Sequence, residues 1–166
     1  MEYEVRRART GDVRAIRALI DANADSGRLL DKATVALYED VQEFWVASNP
    51  EDQVVGCGAL HVMWEDLAEI RTLAVADGYQ GLGVGSQLVL ALLDTARDVG
   101  VSRVFVLTFA VDFFRRHGFT DIAGQAATPE VYAELLRSYD EGVAEFLDLD
   151  RVKPNTLGNT RMLLRL

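Results

Sequence analysis

Apolar residues recur along the chain with two periods, one typical of helices and one typical of strands. Residues 12–25 place Val13, Ile16, Leu19 and Ile20 on one helical face, which predicts an amphipathic helix. Shorter runs rich in β-branched and aromatic residues, bounded by turn residues, predict strands. The predicted order is strand, two helices, three strands, helix, strand, helix, strand, helix, strand, over residues 2–9, 12–25, 32–42, 43–48, 54–64, 67–75, 83–98, 101–109, 111–117, 119–122, 128–138 and 161–166.

Length and composition are those of one globular domain. A chain of 166 residues can bury a full core without disulfides or a structural metal. Apolar residues make up 49 % and charged residues 26 %, and we find no internal repeat. We therefore expect an α/β (α+β) fold in a single domain over residues 1–166.

Charge and cysteine content narrow the range of partners. The formal net charge of −9 argues against nucleic acid as the main partner, because phosphate binding needs a cationic face. The single cysteine, Cys57, cannot form an intramolecular disulfide, which fits a reducing compartment. The first residues carry no apolar signal segment, and nowhere do about 18 uncharged apolar residues run together. We expect a cytoplasmic protein without membrane contact, and two histidines with one cysteine give no reason to expect a metal site.

Three glycines alternate between a predicted strand and the helix that follows it: Gly81, Gly83 and Gly85. The dinucleotide motif G-x-G-x-x-G would need glycine where Ser86 stands, and a P-loop would need a lysine that is absent here. A tight turn needs only one or two glycines, and glycine within a helix costs about 1 kcal/mol relative to alanine. The bare backbone therefore indicates a ligand that approaches main-chain N–H groups at a helix start, as a pyrophosphate does.

The segment Gln80-Gly81-Leu82-Gly83-Val84-Gly85 resembles the Q/R-x-x-G-x-G/A motif of the GNAT superfamily of acyl-CoA-dependent N-acyltransferases. Two further landmarks, LAV at 73–75 and FFRRHGF at 113–119, stand where that family carries its acetyl-CoA strand and its last turn. AEIRTLAV, RVFVLT and FFRRHGF together resemble the acetyltransferase domain of N-acetylglutamate synthases. The later EFLDLDRVKPNTLGNTRMLL is similar to the tail of their short, single-domain actinobacterial members.

The resemblance implies a GNAT-like domain with a mixed, mostly antiparallel sheet, a splayed parallel pair formed by 67–75 and 101–109, and flanking helices. It implies an acetyl-CoA-dependent α-N-acetyltransferase for L-glutamate or L-glutamine, the first step of arginine biosynthesis. It leaves open whether the protein is a monomer or a homodimer. Two alternatives remain, namely a GNAT enzyme for another small amine, such as a polyamine or an antibiotic, and a non-catalytic acyl-CoA-binding sensor.

The resemblance also assigns the residues that contact acetyl-CoA. Leu73 and Val75 would offer main-chain contacts to the pantetheine arm. Phe114 stands where many members carry a tyrosine that protonates the coenzyme A thiolate, so no protein general acid is assigned. The pyrophosphate would be held by main-chain N–H groups of Gln80, Gly81, Gly83, Gly85 and Ser86.

Charged residues on the predicted strand over residues 67–75 are the candidates for catalysis and acceptor binding. Strand alternation places Glu69 and Arg71 on one face, and on the other face Ile70, Thr72 and Ala74. Glu69 is the candidate general base, and Arg71 could bind the acceptor carboxylate with its guanidinium fork. The equally weighted alternative is that the two side chains pair with each other.

Three further cations are candidate acceptor contacts: Lys32, Arg28 and Arg161. Lys32 lies between the first two helices, in a segment that forms a substrate wall in the superfamily, although a solvated helix position is the favoured alternative. Cys57 and His61 share a strand face, and the expectation for the cysteine is a small buried hydrophobe rather than a nucleophile. His117 is expected to end a short helix, where the dipole favours it.

Overall fold

In the part of the chain that the structure describes, seven strands form one sheet with helices packed on both of its faces. The computed structural model describes residues 2–24, 33–124, 126–138, 140, 143, 146–147 and 159–166. The strands are β1 Glu4–Arg7, β2 Phe44–Ser48, β3 Val54–Trp64, β4 Leu67–Val75, β5 Arg103–Thr108, β6 Thr120–Asp121 and β7 Thr160–Arg165. The helices are α1 Val13–Ala24, α2 Thr34–Glu39, α3 Val84–Val99, α4 Val111–Arg116 and α5 Pro129–Leu135.

The strands lie in the order β1-β2-β3-β4-β5-β7-β6. Every neighbouring pair is antiparallel except β4 and β5, which run parallel. The connection between these two strands contains α3, as parallel strands require a long crossover. The predicted mixed, mostly antiparallel sheet with one parallel pair is confirmed.

Each helix buries an apolar stripe against one face of the sheet. On one face, α1 and α2 cover a buried cluster that includes Ile16, Leu37 and Cys57. On the other face, α3 and α4 cover a second cluster that includes Leu92 and Phe114. The sheet separates the two clusters, and the charged residues Glu69 and Arg71 of β4 lie on the face that α1 covers.

The ends of the helices follow local chemistry. Gly100 ends α3 in the left-handed conformation, with φ 100°, and its N–H donates to the Ala96 carbonyl. Thr128 caps α5 by accepting from the Val131 N–H at 3.3 Å, and Pro129 follows it. All the predicted elements are present in the predicted order, with boundaries that differ by a few residues. The largest differences are at α2, at the first strand and at α5, all of which are shorter than predicted.

Candidate active site

The parallel strands β4 and β5 separate part-way along and leave a cleft between them. Their described pairing covers Leu67 with Arg103 through Glu69 with Phe105 and goes no further. Beyond that point, β5 continues as far as Thr108 by pairing with β7 on its other side. The separation opens a cleft of about 430 Å³, whose lining includes Arg71, Leu73, Val75, Gly85, Phe113 and Phe114. Main-chain groups of two unpaired strand edges suit an extended ligand with amide groups.

A bulge in β4 lies at the edge of this cleft. Thr72 and Leu73 together face the single residue Gly58 of β3, where the register of the two strands shifts. Thr72 has φ 57°, in the left-handed region that a β-branched residue rarely adopts. Such strained backbone is concentrated at functional sites.

The bulge also corrects the predicted facing of β4. Cross-strand pairs join Ala59 to Arg71 and Cys57 to Ala74, so Ala74 lies on the same face as Arg71. The prediction that placed them on opposite faces was wrong, because one extra residue reverses the alternation beyond it. Cys57 is fully buried in an apolar cluster, and burial raises the pKa of its thiol to about 12, which confirms the expected inert hydrophobe.

The glycine-rich turn leads directly into α3 beside the cleft. Gly81 and Gly83 have φ of 79° and 84°, and Gly83 is the residue that precedes the first turn of α3. A side chain on either would be strained, which explains glycine at both positions. Gly85 lines the cleft, and a methyl group there would lie 3.4 Å from the ring of Phe113. The first N–H groups of α3 lack partners within the helix and can bind an anion.

Two of the residues predicted to bind the pyrophosphate, Gln80 and Ser86, make contacts within the protein. The Gln80 N–H donates to the Asp77 carbonyl at 3.4 Å, so it is already engaged and differs in this respect from the prediction of a free donor. The Ser86 hydroxyl lies 3.2 Å from Nε2 of His117, which ends α4 as predicted. Burial, together with Arg116, lowers the pKa of His117.

Glu69 and Arg71 pair with each other beside the cleft, and Asp140 completes a buried triad. Nε of Arg71 donates to Oε1 of Glu69 at 3.0 Å, and its Nη1 donates to Oδ1 of Asp140 at 2.6 Å. The side chains of Glu69 and Arg71 are only 4 % and 7 % exposed. Nη2 of Arg71 lies 2.9 Å from the same Glu69 oxygen, yet it has no hydrogen-bond partner of good geometry among the described residues.

Burial and mutual charge set the ionisation of this triad. Burial raises the pKa of Glu69, although Arg71 and His61 oppose the shift. Burial also opposes ionisation of Asp140, but Arg71 and His61 outweigh it and lower the pKa of this carboxyl. Burial disfavours the charge on Arg71, and the surrounding carboxylates, led by Glu69, raise its pKa. Glu69 is thus a more basic carboxylate than usual, paired with Arg71, which lines the cleft.

A histidine–carboxylate pair borders the triad, and sequence reasoning missed its role. Nδ1 of His61 lies 2.8 Å from Oε2 of Glu43, which ends a short turn before β2. His61 pairs directly with Glu69 across β3 and β4. Period-2 alternation could have linked His61 to Glu69 once the hairpin register was known. No sequence signal points to Asp140, which is 69 residues from Arg71.

Of the three other cations predicted to contact the acceptor, only Arg161 lies among the described residues. Arg161 lies on β7, where it donates to the Phe146 carbonyl, and its guanidinium stacks 5.1 Å from the Phe105 ring centre. It therefore packs against an apolar cluster on the Glu69 side of the sheet. Arg28 and Lys32 lie outside the described residues.

Comparison with known proteins identifies the family. The model of the acetyltransferase (GNAT) family matches residues 14–119, which contain the cleft, the bulge and the glycine turn. The chain belongs to the GNAT acetyltransferase family. GNAT acetyltransferases take the acetyl group from acetyl-CoA, which is therefore the donor here.

Similar GNAT proteins include an amino-acid acetyltransferase of Mycobacterium tuberculosis, 60 % identical over 96 % of this chain and 92 % of that protein. The crystal structure of Rv2747 from the same organism, in complex with CoA and NLQ, matches with a TM-score of 0.94 and covers 98 % of this chain and 99 % of that one. N-acetylglutamate synthase from Neisseria gonorrhoeae, complexed with coenzyme A and N-acetyl-glutamate, is 28 % identical with a TM-score of 0.78. This chain aligns over its full length with 35 % of that synthase.

The GNAT cleft of this chain has a phenylalanine where many members have a tyrosine. Phe114 lines the cleft and is 3 % exposed, with its ring edge-to-face against Phe119. It offers no hydroxyl to a departing thiolate. Within the described residues, no group of three or more His, Cys, Asp or Glu side chains is placed to hold a metal ion. No helix in the described part of the chain combines the length and apolar character needed to cross a membrane.

Proposed function

We propose that this GNAT enzyme transfers the acetyl group of acetyl-CoA to the α-amine of L-glutamate or L-glutamine, in arginine biosynthesis. The observation that carries the proposal is the buried Arg71, which lines the cleft and whose Nη2 makes no hydrogen bond of good geometry among the described residues. The similarity to an amino-acid acetyltransferase over nearly the whole of both chains supports it.

The adjacent charges of Glu69 and Arg71 match those of an α-amino acid. A zwitterionic α-amino acid carries its ammonium and its carboxylate on the same carbon, and the side chains of Glu69 and Arg71 lie together beside the cleft with opposite charges. Arg71 would donate to the acceptor carboxylate through Nη2, and Oε2 of Glu69 would receive a proton from the ammonium. Burial strengthens both interactions because water does not screen them.

The donor half of the cleft fits the coenzyme A thioester. The pantetheine arm would lie along the separated edge of β4, with main-chain contacts from Leu73 and Val75. The pyrophosphate would bind the N–H groups of Gly81, Gly83, Gly85 and Ser86 at the start of α3. In this pose the N–H of Leu73, in the bulge, would stabilise the oxyanion that forms on the thioester carbonyl.

The reaction then needs no protein acid at Phe114. After Glu69 takes one proton from the ammonium, the neutral amine attacks the thioester and the carbon–sulfur bond breaks. The second proton of the attacking nitrogen goes to the thiolate sulfur, so that free coenzyme A leaves as the thiol. A thiol of ordinary pKa near 8.5 is a good leaving group without a tyrosine.

A small cationic amine is the second candidate acceptor. Three carboxylates, Glu43, Glu69 and Asp140, surround the single guanidinium of Arg71 within electrostatic reach, and an excess of carboxylates favours a cation. A polyamine such as spermidine therefore belongs in the same assay as the amino acids.

Free-thiol release decides between these acceptors. The purified protein would be incubated with acetyl-CoA and each of the twenty amino acids or spermidine, and the product identified by mass spectrometry. We expect thiol release with glutamate or glutamine above the background rate of thioester hydrolysis. No release with either amino acid would overturn the proposal, and release with spermidine alone would favour the second candidate. Cys57 should not contribute, because it is buried with a thiol pKa of about 12.

A further inference from the structure

The carboxylate proposed to accept the substrate proton is itself almost sealed from solvent. The Glu69 side chain is 4 % exposed. A base in this position must lose the proton it accepts before the next cycle. His61 lies directly opposite on β3, which brings the two Cβ atoms within about 5 Å. The His61 side chain is 19 % exposed, so it can exchange protons with both the interior and the solvent.

Glu43 orients the imidazole of His61. Its Oε2 lies 2.8 Å from Nδ1, so the neutral ring carries its proton on Nδ1 and leaves the lone pair of Nε2 free. A carboxylate on one ring nitrogen fixes the tautomer and the orientation of the ring. Glu43 is 25 % exposed, and this places the pair at the solvent side of the buried triad.

The charge balance around His61 also favours a mobile proton. The described groups that face it are Glu43 from the turn before β2, Glu69 and Arg71 from β4, and Asp140 from the segment after α5. Three carboxylates share one guanidinium in a region of low dielectric. A proton taken up by Glu69 relieves that repulsion.

We propose that the Glu43–His61 pair is a proton relay that returns Glu69 to its ionised state in each catalytic cycle. The relay rests on the proposed function, in which Glu69 accepts a proton from the acceptor ammonium. The O–H bond of Glu69 breaks as an N–H bond forms at Nε2 of His61, directly or through one water. The imidazolium, whose Nδ1–H stays bonded to Glu43, then loses this proton to solvent. The net reaction releases one proton, and this is the proton the relay carries.

His61→Ala tests the relay through rescue by free imidazole. We expect kcat at neutral pH to fall about tenfold or more, as for loss of a proton-transfer group. Both KM values should change less than twofold. Added imidazole should restore a large part of kcat in a concentration-dependent manner, because the truncated side chain leaves space for it. A purely structural role would predict no rescue, so an unchanged kcat or a loss that imidazole does not relieve would overturn the relay.

Two further variants keep the test decisive. His61→Gln preserves a hydrogen bond to Glu43 and should fold like the wild type while losing kcat. The matched control is Val62→Gln, because Val62 is the next residue on β3 and is 46 % exposed; its kcat should remain unchanged. Wild-type thiol release is measured first with every acceptor. Absence of release with glutamate and glutamine would overturn the proposed function, whereas normal wild-type turnover retained in both His61 variants would overturn the relay alone.

Discussion

The thiol of Cys57 donates a hydrogen bond to the carbonyl oxygen of Thr72, with sulfur and oxygen 3.4 Å apart. A trans peptide holds its C=O and the following N–H in opposite directions. The bond to Cys57 therefore turns the N–H of Leu73 away from β3. The buried thiol thus helps to hold the bulge in the orientation that the proposed oxyanion contact requires.

The strain at Thr72 gives a stability prediction. Its φ of 57° places a β-branched residue in the left-handed region, at a cost of about 1–2 kcal/mol that glycine does not incur. Glycine loses part of this gain through its greater entropy when unfolded. We expect Thr72→Gly to leave the free energy of unfolding unchanged or raise it by up to about 1 kcal/mol, measured by urea unfolding.

The matched control is glycine at an ordinary strand position. Thr120 lies on β6 and is not among the residues with positive φ, so Thr120→Gly should lower the free energy of unfolding by about 1 kcal/mol. Equal losses at Thr72 and Thr120 would contradict a strained backbone in the bulge.

The order of elements and the donor side of the site were predictable because they depend on local chemistry. Gly81 and Gly83 adopt positive φ, which selects glycine directly, and the alternation of these residues with Gly85 is visible in the sequence. The apolar period of 3.6 residues identifies α1 and α3, and the period of 2 identifies β3, because these patterns are also local and visible in the sequence. The family motifs then supplied the parallel pair, which no local pattern specifies.

The acceptor side was less predictable because its contacts join distant segments. Thr72 belongs to a residue type that rarely adopts left-handed backbone, so the sequence offered no sign of the bulge and the face of Ala74 was assigned wrongly. Asp140 reaches Arg71 across 69 positions and Glu43 reaches His61 across 18. Such pairs depend on the register of the sheet, which cannot be inferred from the pattern of a single sequence.

Side chains added to the glycine turn should separate donor binding from acceptor binding. Gly85 lines the cleft, and a β-carbon there would lie 3.4 Å from the Phe113 ring. The larger Gly85→Val should fill the space proposed for the pyrophosphate and raise the KM for acetyl-CoA about tenfold or more, equal to the loss of at least 1.4 kcal/mol of binding. The KM for the amino acid should change less than twofold in steady-state kinetics.

Gly78 provides the control for the glycine turn. It lies in the turn just before Gly81, its φ is not positive, and no atom lies within 4 Å of an added β-carbon. Gly78→Ala should retain both KM values. A similar rise in the acetyl-CoA KM for both variants would mean that any substitution in the turn weakens binding, and that Gly85 has no specific role in the pyrophosphate site.

Arg71 should determine acceptor affinity. Truncation to alanine would leave Glu69 and Asp140 buried without a partner, so the informative change is Arg71→Lys, which keeps the charge and removes the guanidinium fork. Loss of one charged hydrogen bond is worth about 2 kcal/mol, or roughly a 30-fold rise in the amino acid KM. The acetyl-CoA KM should remain near that of the wild type.

An arginine away from the cleft gives the comparison for Arg71→Lys. Arg103 pairs with Asp66 at 3.1 Å and donates to the Ala126 carbonyl at 2.7 Å. Arg103→Lys should leave both KM values unchanged. An amino acid KM that is also unchanged in Arg71→Lys would remove Arg71 from the proposed acceptor site.

Asp12 should make the fold sensitive to acid. Two nitrogens of Arg6 donate to it at 2.8 and 3.0 Å, and the Arg9 N–H donates at 2.7 Å. The hydrogen bonds from Arg6 are the largest cause that lowers the pKa of Asp12, and they outweigh its burial. Because the folded pKa lies below the unfolded value, the ionised carboxylate stabilises the fold above an unfolded pKa near 3.8, and this stability is lost as pH falls through the folded pKa.

Replacement of Asp12 by asparagine therefore has a pH signature. We expect Asp12→Asn to lower the free energy of unfolding by about 2 kcal/mol at pH 7, with a difference from wild type that shrinks below about pH 4. Asp52 also contacts Arg6, at 3.2 Å, but its side chain is 72 % exposed. Asp52→Asn should therefore change stability by less than about 0.5 kcal/mol. Urea unfolding at pH 7 and pH 3 measures both variants, and a pH-independent loss in Asp12→Asn would show that the carboxylate charge is not what stabilises this turn.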